Sequence, residues 1–246
     1  MAPAGEDAAV ELGAAIRAGD VEGVRRIVAG TPQLAVAPLG GPFATRTALH
    51  VVADWPGYFP NGPQIVRVLV AAGADADAGS PDEETPLHWA ASSDDADVAA
   101  ALIDAGADLD APGGSIGTPV ENAVGYSCWH VAALLADRGA RIDTLWVAAA
   151  LGRLDRLRQL LDTADPSADE VSQAFWHACA AGRRRAAEHL LAAGADLNWV
   201  PDYAEGTPLD AARGRGTARD DVIGWLEQQG AGSAALSSGE RRGPPG

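Results

Sequence analysis

Apolar residues recur along this chain in paired short clusters, each pair split by a polar turn and closed by glycine. The stretch 85–106 carries the unit plainly. Leu87, Ala90 and Ala91 fall at the spacing of one narrow helix face. Ser92-Ser-Asp-Asp95 interrupts that face, and Val98, Leu102 and Ile103 begin a second. Thr85 suits an N-cap, Pro86 a first helical position where a missing N–H costs nothing, and Gly106 a left-handed stop. The pattern predicts helix, turn, helix, then a loop. Further pairs are legible at 8–30, from Thr47, from Thr118, near Asp143, near Gln173, and from Thr207 to Gly230. Seven units in an all-α chain are the expectation, each burying one face against its neighbours.

The wording of these units repeats as well as their rhythm. Thr47-Ala-Leu-His50, Thr85-Pro-Leu-His88 and Thr207-Pro-Leu-Asp210 each open one, and Ala-Gly-Ala-Asp closes three, at 72–75, 105–108 and 193–196. Gly73, Gly106 and Gly139 are spaced by 33 residues. That period and opening phrase resemble the ankyrin-repeat family. The resemblance implies an α-solenoid of about seven helix-turn-helix repeats with short β-hairpin-like fingers. It is expected to run over 8–231, with a disordered N-terminus at 1–7 and a disordered tail at 232–246. It also implies a non-catalytic protein-interaction module, without cofactor or metal, that binds its partner through groove and finger tips.

Departures from the phrase are as informative as its copies. Trp146 and Trp176 stand where the motif has His, and Glu121 and Asp210 replace it elsewhere. In the family that His ties a unit to its neighbour through hydrogen bonds; Trp is expected to fill the gap by packing without making the same bonds. Only 25 residues separate Val120 from Leu145, leaving almost no finger between the fourth and fifth units. Five extra residues separate Thr47 from Gly73, within Asp54-Trp-Pro-Gly-Tyr-Phe-Pro-Asn-Gly-Pro63. Prolines and glycines make this a stiff, sharply turned loop carrying Trp55, Tyr58 and Phe59.

Composition narrows the function classes. Apolar residues make up 47% of 246 residues but aromatics only 5%, so the core must be mostly Ala, Leu and Val. All 18 basic residues are Arg, and the net charge is −16. Residues 1–140 hold 19 acidic and 6 basic side chains, giving −13, and the remainder gives −3. Such a surface repels phosphate backbones and argues against nucleic acid; a basic protein partner matches it, and acidity that only maintains solubility is the plainer reading. The first residues carry no secretory pattern, no apolar run is long enough for a membrane span, and Cys128 and Cys179 make no disulfide framework. A cytoplasmic monomer is expected, and the Arg-only, Ala-rich composition suggests a GC-rich bacterial genome.

The family's groove positions map here to Asp54 and Trp55, Ser92 and Ser93, Gly125 and Tyr126, Ala150 and Leu151, and Ala180 and Ala181. Finger tips fall at 79–84, 112–117 and 199–205. The partner-binding set is therefore Trp55, Tyr58, Phe59, Pro81, Asp82, Glu83, Glu84, Ser92, Ser93, Tyr126, Trp199 and Tyr203. Against it stands the reading that the inserted loop folds down and its rings only plug the edge of the stack. His50 and His88 read as structural motif residues, and Cys179 as a small buried hydrophobe. Gly113-Gly-Ser-Ile-Gly117 matches a nucleophile-elbow pattern, but it sits at a finger tip rather than between strand and helix, so Ser115 reads as no nucleophile. Arg183, Arg184, Arg185, Arg213, Arg215 and Arg219 form a basic edge: a solvated face, or a contact for an acidic protein, a phosphate-bearing ligand or the acidic first half of a second copy. The rival reading is a small-molecule-binding protein or enzyme whose pocket, in repeats 118–200, is lined by Trp129, His130, Trp146, Trp176 and His177.

Overall fold

Threonine three residues before a hydrogen-bonding side chain starts most of the first helices. A computed structural model describes residues 4–39, 46–79, 84–214 and 219–234. Among them are fifteen helices and no strand: α1 (Ala4–Ala18), α2 (Val21–Gly30), α3 (Gln33–Val36), α4 (Ala48–Ala53), α5 (Gly62–Ala71), α6 (Pro86–Ser93), α7 (Ala96–Asp104), α8 (Pro119–Gly125), α9 (Trp129–Asp137), α10 (Leu145–Leu151), α11 (Leu154–Thr163), α12 (Ala168–Ala180), α13 (Arg184–Ala192), α14 (Pro208–Ala212) and α15 (Asp220–Gln228). With α3 as an extra turn, they form seven helix pairs, the number read from the pattern. Pro81, Asp82, Glu83, Arg215 and the expected tail from 235 onward lie outside the described residues.

The pairs divide into two compact units, Met1–Arg141 with four and Ile142–Gly246 with three. The boundary falls where the sequence leaves no room for a finger. In the first unit Leu12, Ile16, Leu49, Ile65, Leu69, Leu87, Leu102 and Leu135 are fully buried, interleaved with alanines such as Ala53, Ala90, Ala91 and Ala132. Each buried Leu contributes about 1.5–3 kcal/mol, and the alanines between them let thin helices approach closely. In the second unit Phe175, Leu157, Leu190 and Leu226 do the same work, with Phe175 meeting Trp225 edge-on at 6.3 Å.

Local chemistry explains the repeated words. Thr47, Thr85, Thr118 and Thr207 each close a capping box with His50, His88, Glu121 and Asp210 respectively. Gly73, Gly106, Gly139 and Gly194 end second helices at φ between 97° and 99°, a conformation only glycine enters freely. The Asp that closes Ala-Gly-Ala-Asp folds its own finger: Asp75, Asp108 and Asp196 each accept the N–H two residues on. Asp77 and Asp110 then accept the N–H of Asp108 and Arg141 one repeat later, which stacks the fingers without strand pairing.

Two expectations need correction. Helix α12 does not begin near Gln173 but at Ala168, because Ser167-Ala-Asp-Glu170 forms a capping box that opens six residues earlier. Trp176 does more than pack: its indole N–H donates to the Gly206 carbonyl at 3.2 Å. That carbonyl immediately precedes Thr207, the same place reached by His50 on Glu84 (2.9 Å) and by His88 on Gly117 (3.0 Å). A single indole donor at the end of a longer arm replaces the imidazole's outward N–H.

Candidate functional site

Within the first unit, the C-terminal ends of α4, α6 and α8 come side by side and leave a groove of about 430 Å³. Asp54, Trp55, Glu84, Trp89, Ser92, Ser93 and Tyr126 line it. All but Trp89 were expected in or beside the groove. Trp89 follows the motif His, a position that the pattern treats as merely the next helical residue. Its ring stands edge-on to His50 at 5.2 Å and lies beneath the Arg46 guanidinium, 5.2 Å from the ring centroid. That guanidinium also binds the Asp54 carboxylate, which Arg17 approaches at 3.8 Å.

The opposite wall is a polar network centred on Glu84. Its Oε1 accepts the Ser115 N–H (3.0 Å), the Ser115 hydroxyl (3.0 Å) and the buried Asn122 amide (3.1 Å). The Glu84 carbonyl takes the N–H of His50, whose other nitrogen accepts the Thr47 N–H at 3.1 Å. Ser115 also lies 2.9 Å from the Tyr126 hydroxyl, so the serine of the elbow-like pattern serves to link finger and groove. Ser92 and Ser93 spend their hydroxyl protons on the carbonyls of His88 and Ala53, leaving lone pairs as their remaining hydrogen-bonding capacity. Trp55 is 78% exposed and Tyr126 50%.

The inserted loop divides between the two readings of it. Trp55 faces the groove, whereas Tyr58 and Phe59 do not line it. Tyr58 is tied to the turn between α6 and α7: its N–H donates to Asp95 Oδ2 at 2.5 Å and its hydroxyl to the Asp94 carbonyl at 2.6 Å. Burial pushes its phenol above the ordinary range, with the nearby carboxylates acting in the same direction. At the loop's far end the Asn61 amide donates to the Gly19 carbonyl at 2.9 Å. Phe59 is half-buried. Anchored on both sides, the loop holds Trp55 outward.

In the second unit, Trp146, Trp176, His177 and Tyr203 gather into one cluster. His177 lies 4.8 Å from Trp146 and 5.1 Å from Trp176 by ring centroids, and its Nε2 is 3.1 Å from the Tyr203 hydroxyl. Gln173 donates to that same hydroxyl at 3.3 Å. His177 is only 8% exposed, and burial pushes its imidazole down to about 4. A cavity of about 250 Å³ lies nearby, lined by Trp146, Thr144, Glu170 and Gln173 among others, but not by Trp176 or His177. Trp129 and His130 belong to the first unit, where the exposed His130 pairs with Asp94 at 2.7 Å. Trp199 is half-buried in its finger turn. Along the basic edge, Arg183 donates to the Ala150 carbonyl, Arg184 pairs with Glu188 and Arg213 with Glu227.

No helix among the described residues is long and apolar enough to cross a membrane. The family model described as Ankyrin repeats (3 copies) matches residues 12–112 and 49–145, together more than half of the chain. Among solved structures, the chain is similar to the ankyrin repeat domain of Bcl-3, described as a unique member of the IkappaB protein family. Identity is 26%, the TM-score 0.52, and coverage 88% of this chain and 97% of that one. It is also similar in fold to the human ASB11 ankyrin repeat domain, at 18% identity and a TM-score of 0.51, covering 96% and 99%. Comparison with curated proteins gives no match. The stacked helix pairs, the threonine capping boxes and the family match agree, and the chain belongs to the ankyrin-repeat family.

Proposed function

We propose that this protein is a non-catalytic protein-interaction module, working as a cytoplasmic monomer, whose partner docks in the groove of the first unit. Ankyrin-repeat domains are generally interaction modules. The observation that carries the assignment to this groove is the pair of exposed rings, Trp55 and Tyr126, held by anchored elements around fixed polar groups. Rigid aromatic anchors ringed by polar atoms are the usual make-up of an interface hot spot, because they bury much area at little entropic cost. Tyr58 and Phe59 act by positioning Trp55, and Glu84, Ser92 and Ser93 supply polar contacts. The rival small-molecule reading has weaker support, since the cavity of the second unit falls below the roughly 300 Å³ usual for ligand pockets.

Affinity capture with the full chain and with its Trp55→Ala/Tyr126→Ala variant tests the reading, with thermal melts recorded for both. The expected result is a retained protein that the variant loses while its melt stays unchanged. Equal retention by both chains would place the interface elsewhere.

A further inference from the structure

The groove's lining has a one-sided chemistry. Apart from the indole N–H groups, its side chains offer acceptors and ring faces: the carboxylates of Asp54 and Glu84, the lone pairs of Ser92 and Ser93, and the rings of Trp55, Trp89 and Tyr126. The carboxyl ends of three helices meet there, adding partial negative charge. Asp54 is offset by Arg46 and Arg17. Glu84 is not. Its carboxylate takes three bonds from neutral donors, all on Oε1, and no ion pair to it forms among the described residues. Those three bonds fix the carboxylate in place, so it needs little reorganisation to receive a charge.

We propose that the groove receives an arginine side chain of a basic partner protein, its guanidinium against the rings of Trp55 and Tyr126 and paired with Glu84. This rests on the groove being the interaction site. Guanidinium is favoured because it is planar, stacks on aromatic faces and can fork onto a carboxylate. The chain already uses that chemistry once, where Arg46 lies over Trp89 and binds Asp54. An acidic segment would instead meet Glu84, Asp54 and three helix carboxyl ends without a compensating donor set.

The test is fluorescence polarisation of a labelled Gly-Arg-Gly-Arg-Gly peptide with the full chain at about 0.15 M salt, where long-range attraction is screened. The same peptide with citrulline for arginine keeps the shape and removes the charge. Binding of the arginine peptide is expected, with at least tenfold preference over the citrulline form. Trp55→Ala, which leaves the net charge intact, and Glu84→Gln, which keeps an acceptor for Ser115 and Asn122, are each expected to weaken it at least fivefold. Glu188→Gln, in the second unit and removing the same charge as Glu84→Gln, is expected to change affinity less than twofold. Absence of binding, equal binding of the citrulline peptide, or equal binding by Trp55→Ala would overturn the proposal. Should it be overturned while partner capture still depends on Trp55 and Tyr126, the groove reading survives and only the cation is lost. Loss of both results would remove the groove itself.

Discussion

Acidification should destabilise this protein through one histidine more than through any surface charge. His177 is 8% exposed, walled by Trp146, Trp176 and Tyr203, and burial holds its imidazole at about 4. In the unfolded chain it would titrate near 6.5. A folded value depressed below the unfolded one means that the unfolded state binds the proton first. The stabilising contribution is therefore complete above about 6.5 and is lost as pH falls toward about 4. Between pH 7.5 and 5 this linkage amounts to about 2 kcal/mol. With a urea slope of about 1–3 kcal/mol/M, the unfolding midpoint should fall by about 1 M. His177→Gln removes the titration while keeping a hydrogen-bonding partner for the Tyr203 hydroxyl. His88, also held low by burial, and the lowered carboxyls of Glu170 and Asp210 remain in both proteins, so the difference isolates His177. Urea unfolding of both full chains, followed by tryptophan fluorescence at pH 7.5 and 5, measures it. Identical pH slopes for the two proteins would refute the reasoning.

Other consequences follow from single side chains. His88→Ala removes the bonds to Thr85 and Gly117 from a fully buried site, and should cost about 2–4 kcal/mol in chemical denaturation. Gly19→Ala places a Cβ 2.4 Å from the Pro60 carbonyl oxygen at φ +69°, whereas Gly106→Ala meets nothing within 4 Å at φ +98°; the first should lower the melting temperature clearly more than the second. Burial pushes the Cys128 thiol up to about 11 and the Cys179 thiol higher still, so neither should react with a thiol reagent at pH 8 until urea unfolds the chain.

Much of the fold was legible because its determinants are local. A capping threonine, a proline at the first helical position and a glycine stop each act within one turn, and the 33-residue period locates their recurrence. Seven helix pairs and the core alanines followed from that alone. The start of α12 was just as local, in Ser167-Ala-Asp-Glu170, and could have been read. The groove was partly legible: Asp54, Trp55, Ser92, Ser93 and Tyr126 occupy equivalent helix ends, so periodicity brings them together.

What the sequence determined by itself was the repeat, since each unit's helices are set by contacts a few residues apart. What only the tertiary structure decided was how unequal repeats complete one another. Whether an indole at 176 reaches Gly206, whether Arg46 crosses Trp89 to Asp54, and which donors hold Glu84 depend on residues some 8 to 43 positions away. The inserted loop makes the same point. Its composition foretold a turn, but only the carbonyl of Asp94, the carboxylate of Asp95 and the carbonyl of Gly19 fix which rings are held down and which one faces the groove.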